Sequence, residues 1–374
     1  MLFTPLNCLL AEINSPGPAC FGNLHAQNDT VMSVKITGRL PSGKHLELLK
    51  KSRNYKLGAF QNLSPTPMKP EGISYWRMIK EFMKKHPETA PPGKLPFVRT
   101  DLRELNTPDP VVIWFGHSSY FIRIANKNFL IDPVLSGNAA PLSFMVKAFP
   151  GSNEYKAEDM PPIDYLVLTH DHYDHLDFKT IRKLKNKTGR IFCSLGISSH
   201  LKHWGIAGEK ITEMDWWQTE LLDEGLQLTA APARHFSGRG IKRGQTLWSS
   251  FILKTPAHNL YLGGDSGYDT HFKEIGEKYG PFDLAILEAG QYNTMWPLIH
   301  MMPEETVQAA VDLGAKMLLP VHWGKFRLGM HPWNEPVKRI VAKAQELKML
   351  VVTPKIGEPV VINGVSDSGN WWEI

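Results

Sequence analysis

Nine residues constrain this chain more than any others. Thr169-His-Asp-His-Tyr-Asp-His-Leu-Asp177 carries three histidines and three aspartates directly after the apolar run Tyr165-Leu-Val-Leu168. Such a run reads as a buried strand. A strand that ends on so many donor groups must open its carboxyl end onto a site. Imidazole and carboxylate are the usual nitrogen and oxygen donors for zinc and its neighbours. A tight turn after the strand can fan His170, His172, Asp174 and His175 around one point. Their close spacing offers donors enough to start two metal sites. A solvated polar turn would explain a lone histidine, but not four donors in six positions at a strand end.

Further donors have to come from elsewhere, and three later positions repeat the theme of strand, then ligand. His235 follows 226–234, Asp265 follows 259–264, and His322 follows Met317-Leu-Leu-Pro-Val321. Singly, each could be structural.

The surrounding pattern predicts strands at 111–115, 120–124, 128–132, 165–169, 190–193, 249–254, 259–262, 284–287 and 317–320. Helices are expected at 179–187, 270–278, 303–313 and 335–347. Strands in hairpins, then strands alternating with helices, point to an α+β fold of sheets covered by helices.

Residues 1–108 differ in texture, with basic patches such as Lys50-Lys51-Ser52-Arg53, clustered prolines and little strand periodicity. One helix is expected there. Ser74 caps it, and Trp76, Ile79, Phe82 and Met83 share a face. That face could rest on a membrane surface, although packing on the main domain is the commoner fate of such helices.

Composition removes several classes. Hydrophobic content of 42% with 21% charged residues is ordinary for a globular protein, and no apolar run is long enough to span a bilayer. A net charge of +5 is too mild to signal nucleic-acid binding by itself. Three cysteines, Cys8, Cys20 and Cys193, give neither a disulfide framework nor a Cys-x-x-Cys pair. A reducing, cytoplasmic setting follows, with membrane association compatible. Met1 to Leu10 is apolar but lacks a basic flank, which argues against a secretory signal. A serine hydrolase fits poorly, because Gly116-His-Ser118 lacks the second glycine of a nucleophile elbow.

His170-x-His172-x-Asp174-His175, followed in order by His235, Asp265 and His322, resembles the metallo-β-lactamase fold. Trp114-Phe-Gly-His-Ser118, Asp132-Pro-Val134, Gly264-Asp-Ser-Gly-Tyr268, His300 with Pro303-Glu-Glu305, and Val321-His-Trp-Gly324 resemble its N-acylphosphatidylethanolamine phospholipase D-like group. The likeness spans roughly residues 110–347. It implies an αββα sandwich over 109–374, with 1–108 as an extension packed on it.

The resemblance also implies two zinc ions, though manganese or iron would accept the same donors. His170, His172 and His235 would hold one ion, Asp174, His175 and His322 the other, and Asp265 would bridge. Asp174, Asp265 and His300 are the catalytic candidates, and Asp132 would orient a ligand histidine. Arg234, Arg239 and Lys325 flank ligands and could hold a phosphate, and His117 resembles a pocket position. The implied reaction is phosphodiester hydrolysis of an N-acylphosphatidylethanolamine-type phospholipid, with peripheral membrane contact and a homodimer both compatible. A lactonase, a β-lactam-type hydrolase or a nuclease would use the same donors. A nucleic-acid partner is not expected, since no dense basic stripe or aromatic platform is visible.

Overall fold

The computed structural model describes residues 35–374 except 85, 87, 106, 108, 363 and 365–368. The expectation for Met1 to Leu10, together with Cys8 and Cys20, lies outside the described residues. Cys193 is a buried free thiol.

After helical residues 35–37, the extension carries helix α1 (Gly43–Leu49), the short hairpin β1 (Tyr55–Lys56) and β2 (Ala59–Phe60), and helix α2 (Tyr75–Met83). The first main sheet takes β3 (Val111–Trp114), β4 (Tyr120–Ile124), β5 (Lys127–Ile131), β6 (Ile163–Leu168), β7 (Thr188–Ser194) and β8 (Ile211–Met214). Helices α3 (Phe178–Leu184) and α4 (Ser198–His203) lie between its later strands. The second sheet takes β9 (Thr219–Leu221), β10 (Gln227–Ala231), β11 (Ser250–Lys254), β12 (Asn259–Leu262), β13 (Leu284–Glu288), β14 (Met317–Val321) and β15 (Leu350–Val351). Helices α5 (His271–Tyr279), α6 (Pro303–Asp312) and α7 (Glu335–Leu347) are interleaved with its strands. The closing strand β16 (Pro359–Val361) returns to β3 and completes the first sheet.

Both sheets have seven strands, in the orders β16-β3-β4-β5-β6-β7-β8 and β15-β14-β13-β12-β11-β10-β9. They share one plan, three antiparallel pairings followed by three parallel ones. In each sheet the strands that alternate out of the antiparallel part run parallel to the later ones. So β3, β5 and β6 in one sheet, and β10, β12, β13 and β14 in the other, end on their sheet's ligand-bearing edge.

Period-two alternation builds the layers. Val112 and Trp114 of β3 enter the core shared with Leu228, Ala230, Ile252 and Leu262 of the second sheet. Val111, Ile113 and Phe115 face outward onto a second cluster with Phe178, Ile181 and Leu184 of α3. Ile275 of α5, Val307 of α6 and Ile340 of α7 cover the second sheet. This is the αββα sandwich. The β4–β5 hairpin turns on Ala125 and Asn126, both at positive φ (47° and 57°), the geometry that a two-residue turn requires.

Ser74 caps α2 as expected, accepting from the Arg77 amide at 3.1 Å. The expected apolar face is a correction. Trp76 and Met83 are 75% and 79% exposed, whereas Met78 is buried against Phe236, Met295, Trp296, Ile299 and Met330. The helix meets the sandwich along the line of Met78, which the Trp76–Met83 grouping had left aside.

Candidate metal centre

Donors from both sheets meet between the strand ends. His170, His172, Asp174 and His175 follow β6, His235 lies four residues past β10, Asp265 three past β12, and His322 directly past β14. Gly264 makes the meeting possible. A Cβ there would lie 2.9 Å from both the Ser249 carbonyl oxygen and the Thr169 Cβ, so only glycine lets the Asp265 turn press on the end of β6.

Two groups form. In the first, His172 Nδ1 lies 3.0 Å from His170 Nε2 and 3.2 Å from His235 Nε2. Asp265 Oδ2 stands 3.8 and 3.7 Å from the same two Nε2 atoms. In the second, His175 Nε2 lies 3.7 Å from Asp174 Oδ2, and Asp265 Oδ1 lies 3.1 Å from His175 Nε2 and 3.2 Å from His322 Nδ1. One carboxylate therefore reaches both groups, one oxygen to each.

The arrangement fits divalent metal. His175 Nε2, His322 Nε2 and Asp265 Oδ1 are buried without a hydrogen-bond partner. Orphaned buried polar atoms of this kind cost on the order of 1–3 kcal/mol each. Burial holds His170, His172, His235 and His322 well below the usual imidazole range, which keeps them in the neutral form that binds metal. With the protons of His170 and His235 on Nδ1, their Nε2 lone pairs both point at His172 Nδ1, whose one possible N–H serves a single partner well, and a cation among the three satisfies all of them. His175 behaves differently. Burial pulls it down, but Asp265, Asp174 and Asp132 outweigh that and carry it well above the usual range. Burial lifts Asp265 to about 6.

Hydrogen bonds fix which ring nitrogen faces inward. His175 Nδ1 donates to Asp132 Oδ2 at 2.8 Å. The Thr169 hydroxyl donates a hydrogen bond to the same oxygen and accepts one from His170 Nδ1 at 3.0 Å. Asp132 thus orients one ring directly and another through Thr169, more than the single role expected of it. His235 Nδ1 donates to the Ile299 carbonyl at 2.8 Å. Backbone strain collects here as well. His117, Asp132 and His322 all have positive φ (54°, 41° and 67°), and His117 and His322 are tied by an amide–carbonyl bond across the sheets.

The cavity between the two groups is about 20 Å³ and is also lined by Gln291, His300 and Leu328. That suffices for a water-sized species. His300 Nδ1 lies 3.0 Å from Glu288 Oε2, while Glu288 Oε1 accepts from the Met301 and Ser266 amides. Burial brings His300 down to about 4 and pushes the Glu288 carboxyl well up.

The four residues expected to hold substrate do not line this cavity. Arg234 donates to the Tyr268 and Pro65 carbonyls and to Thr66. Arg239 is buried and gives its guanidinium to the carbonyls of Asp171, Leu176, Ile36 and Thr37. Lys325 Nζ is buried on the Phe115 and Val134 carbonyls, and burial lowers it to about 7. His117 sits behind Asp174 with its Nε2 2.8 Å from Oδ2. Arg239 and Lys325 are engaged by backbone oxygens, and Arg234 by backbone oxygens together with Thr66 and Asp269, so none of the three cations lines the cavity where a phosphate would sit.

Other site residues gave little sequence signal. Glu288 ends an apolar strand, and the strand-then-donor theme could have found it. Ser118, whose Oγ is 2.8 Å from His322 Nδ1, and Gln291, which bridges 322–329, were not detectable from spacing.

A family described as the Beta-lactamase superfamily domain matches residues 127–323. An uncharacterized protein of Mycobacterium tuberculosis (strain ATCC 25618 / H37Rv) is 39% identical over 328 residues, 86% of this chain and 88% of that protein. The N-acyl-phosphatidylethanolamine-hydrolyzing phospholipase D 1 of Caenorhabditis elegans is 31% identical over 262 residues, 66% of this chain and 74% of its own length. Among solved structures, the metallo hydrolase Igni18 of Ignicoccus hospitalis superposes with a TM-score of 0.52 at 21% identity, covering 67% of this chain and 97% of that one, a likeness of fold. With two pairing-matched sheets, donors gathered between them and this domain spanning their junction, the chain belongs to the beta-lactamase superfamily, among the metal-dependent hydrolases of the metallo-β-lactamase fold.

Proposed function

We propose that the protein is a dinuclear zinc phosphodiesterase that cleaves N-acylphosphatidylethanolamine-type phospholipids, releasing the N-acylethanolamine and leaving phosphatidic acid. The observation that carries the reading is Asp265, whose two oxygens reach two separate donor groups. His170, His172 and His235 would hold one ion, and Asp174, His175 and His322 the other. Bound metal would lower the pKa of water and polarise the phosphoryl oxygens.

The protein's own groups do the rest. Asp132 and Thr169 hold His175 and His170 with their Nε2 atoms inward. Glu288 holds His300 through Nδ1, which leaves the neutral ring placed to exchange a proton with a substrate oxygen through Nε2. The small cavity, walled largely by buried side chains, limits the access of bulk water to the donors. The substrate class is supported by the relatives named N-acyl-phosphatidylethanolamine-hydrolyzing phospholipase D.

Exposed apolar side chains support work at a lipid surface. Leu57 and Ile241 project from segments joined through Gly244 and Gln245, close after His235. Trp76 and Met83 lie on α2, whose Met78 packs on Phe236, with the Phe236 ring 4.5 Å from that of His172. Exposed Lys56, Lys242, Arg77 and Lys80 are interleaved with them, a mixture that suits anionic lipid.

The test is hydrolysis of bis(p-nitrophenyl) phosphate and of N-acylphosphatidylethanolamine in vesicles, with and without chelator. Chelator-sensitive turnover of both is expected. Turnover that survives removal of metal would overturn the reading.

A further inference from the structure

Residues before 109 look like packing material in the sequence, and the matched superfamily domain begins only at 127. Yet Asn62, in the extension, grips the backbone of His235 from both sides. Its Oδ1 accepts from the His235 amide at 3.0 Å, and its Nδ2 donates to the His235 carbonyl at 2.8 Å. A carboxamide is the short side chain that can accept and donate to one residue's peptide groups at once, as a neighbouring strand would.

His235 needs such a partner. It lies beyond the last residue of β10, where ladder pairing has ended. Asn62 is itself held, because Oδ1 also accepts from Trp248 Nε1 at 2.9 Å, and Trp248 packs with Leu49, Phe60 and Trp216. The hairpin is pinned nearby through the Phe60 amide on the Gly244 carbonyl.

We infer that Asn62 is a positioning residue for the metal centre, acting through His235 and so on one of the two sites. The extension is then a working part of the site. This rests on the reading of His235 as a metal ligand. The ring of His235 is fixed at Nδ1 by Ile299 and its backbone by Asn62; together these set where Nε2 stands, 3.2 Å from His172 Nδ1. His170 and His175 have no such dependence, since Asp132 and Thr169 hold them from within the sandwich.

The test is a competitive zinc titration of the full chain against a chromophoric chelator, with cobalt absorption spectra alongside. Asn62→Ala should weaken one of two sites about 10–100-fold, the usual cost of losing a supporting group, and leave the other at wild-type affinity. Asn334→Ala is the control. Its Nδ2 bonds the Trp372 carbonyl in the C-terminal segment, and its loss should move neither site. If Asn62→Ala does not fold by near-ultraviolet circular dichroism, the titration is read on Asn62→Asp. That variant keeps the accepted bonds but turns the donor to the His235 carbonyl into a carboxylate oxygen facing it, so a drop at the same site is again expected. Two wild-type-strength sites in the readable variant would overturn the role of Asn62 and leave the proposed centre standing. A wild-type protein that takes up no metal would instead remove the centre, and this inference with it.

Discussion

The two sheets share one pairing plan but arm it differently. The first places four donors in one turn after β6 and braces them with side chains from its own neighbouring strand ends, Asp132 after β5 and His117 after β3. The second sends one donor from each of three strands, and each is braced from a distance: His235 by Asn62 and Ile299, His322 by Ser118, and the Asp265 turn by its close approach to Thr169. Parallel strand ends on a shared edge suffice to build a site. A concentrated motif stiffens it locally, whereas a dispersed one relies on the whole fold.

Mutations can sharpen that contrast. The largest effect belongs to the residue that joins the two groups. Asp265→Ala should abolish phosphodiester turnover and remove metal from both sites, as read by metal analysis; loss from one site only would mean that the two groups are not bridged. Next comes Lys325→Met, which leaves the Phe115 and Val134 carbonyls buried without their donor. We expect about 2–6 kcal/mol of lost stability in equilibrium unfolding, from about 1–3 kcal/mol for each of the two orphaned carbonyls. Unchanged stability would return Lys325 to a role in binding.

Asp132→Asn tests the first sheet's local bracing. It should lower metal affinity about 10–100-fold while circular dichroism stays native, and equal affinity would show that Asp132 only ends its strand.

A smaller effect comes from pH. Burial holds His117 and His300 at about 4 in the folded chain, against 6.5 for a free imidazole. The folded state then binds fewer protons than the unfolded one, so metal-free protein should lose stability as pH falls from 6.5 towards 4. Asp265, raised to about 6 from 3.8, opposes this from pH 6 downward, as do Glu288 and His175, but they are outnumbered by the six buried histidines held low, His117, His170, His172, His235, His300 and His322. Melting curves of metal-free protein at successive pH values check the sign. The smallest expected effect on folding is that of Trp76→Ala, within about 0.5 kcal/mol for an exposed side chain. The same change should weaken binding to anionic vesicles, and unaltered vesicle binding would remove α2 from the lipid-facing surface.

How much could be read beforehand follows the same division. The strands around the sites, helices α3 and α5–α7, and the donor positions were legible, because apolar runs of period two end on polar residues there. The short strands β8, β9, β15 and β16 were not. Two to four residues leave little periodicity, and β16 pairs with β3 across most of the chain. Arg234, Arg239 and Lys325 misled because adjacency to a ligand in sequence says nothing about where a long cation points; all three turn to backbone oxygens. The Trp76–Met83 face misled because amphipathic spacing does not say which apolar line meets the core. Asn62 left no trace, since its partner lies 173 residues away.

The most direct test of two sheets jointly building one centre is the metal content of purified, zinc-loaded protein, by mass spectrometry of the metal against protein concentration. The account predicts about two ions per chain, falling below one in Asp265→Ala. A single ion in the wild type, unaffected by Asp265→Ala, would contradict it.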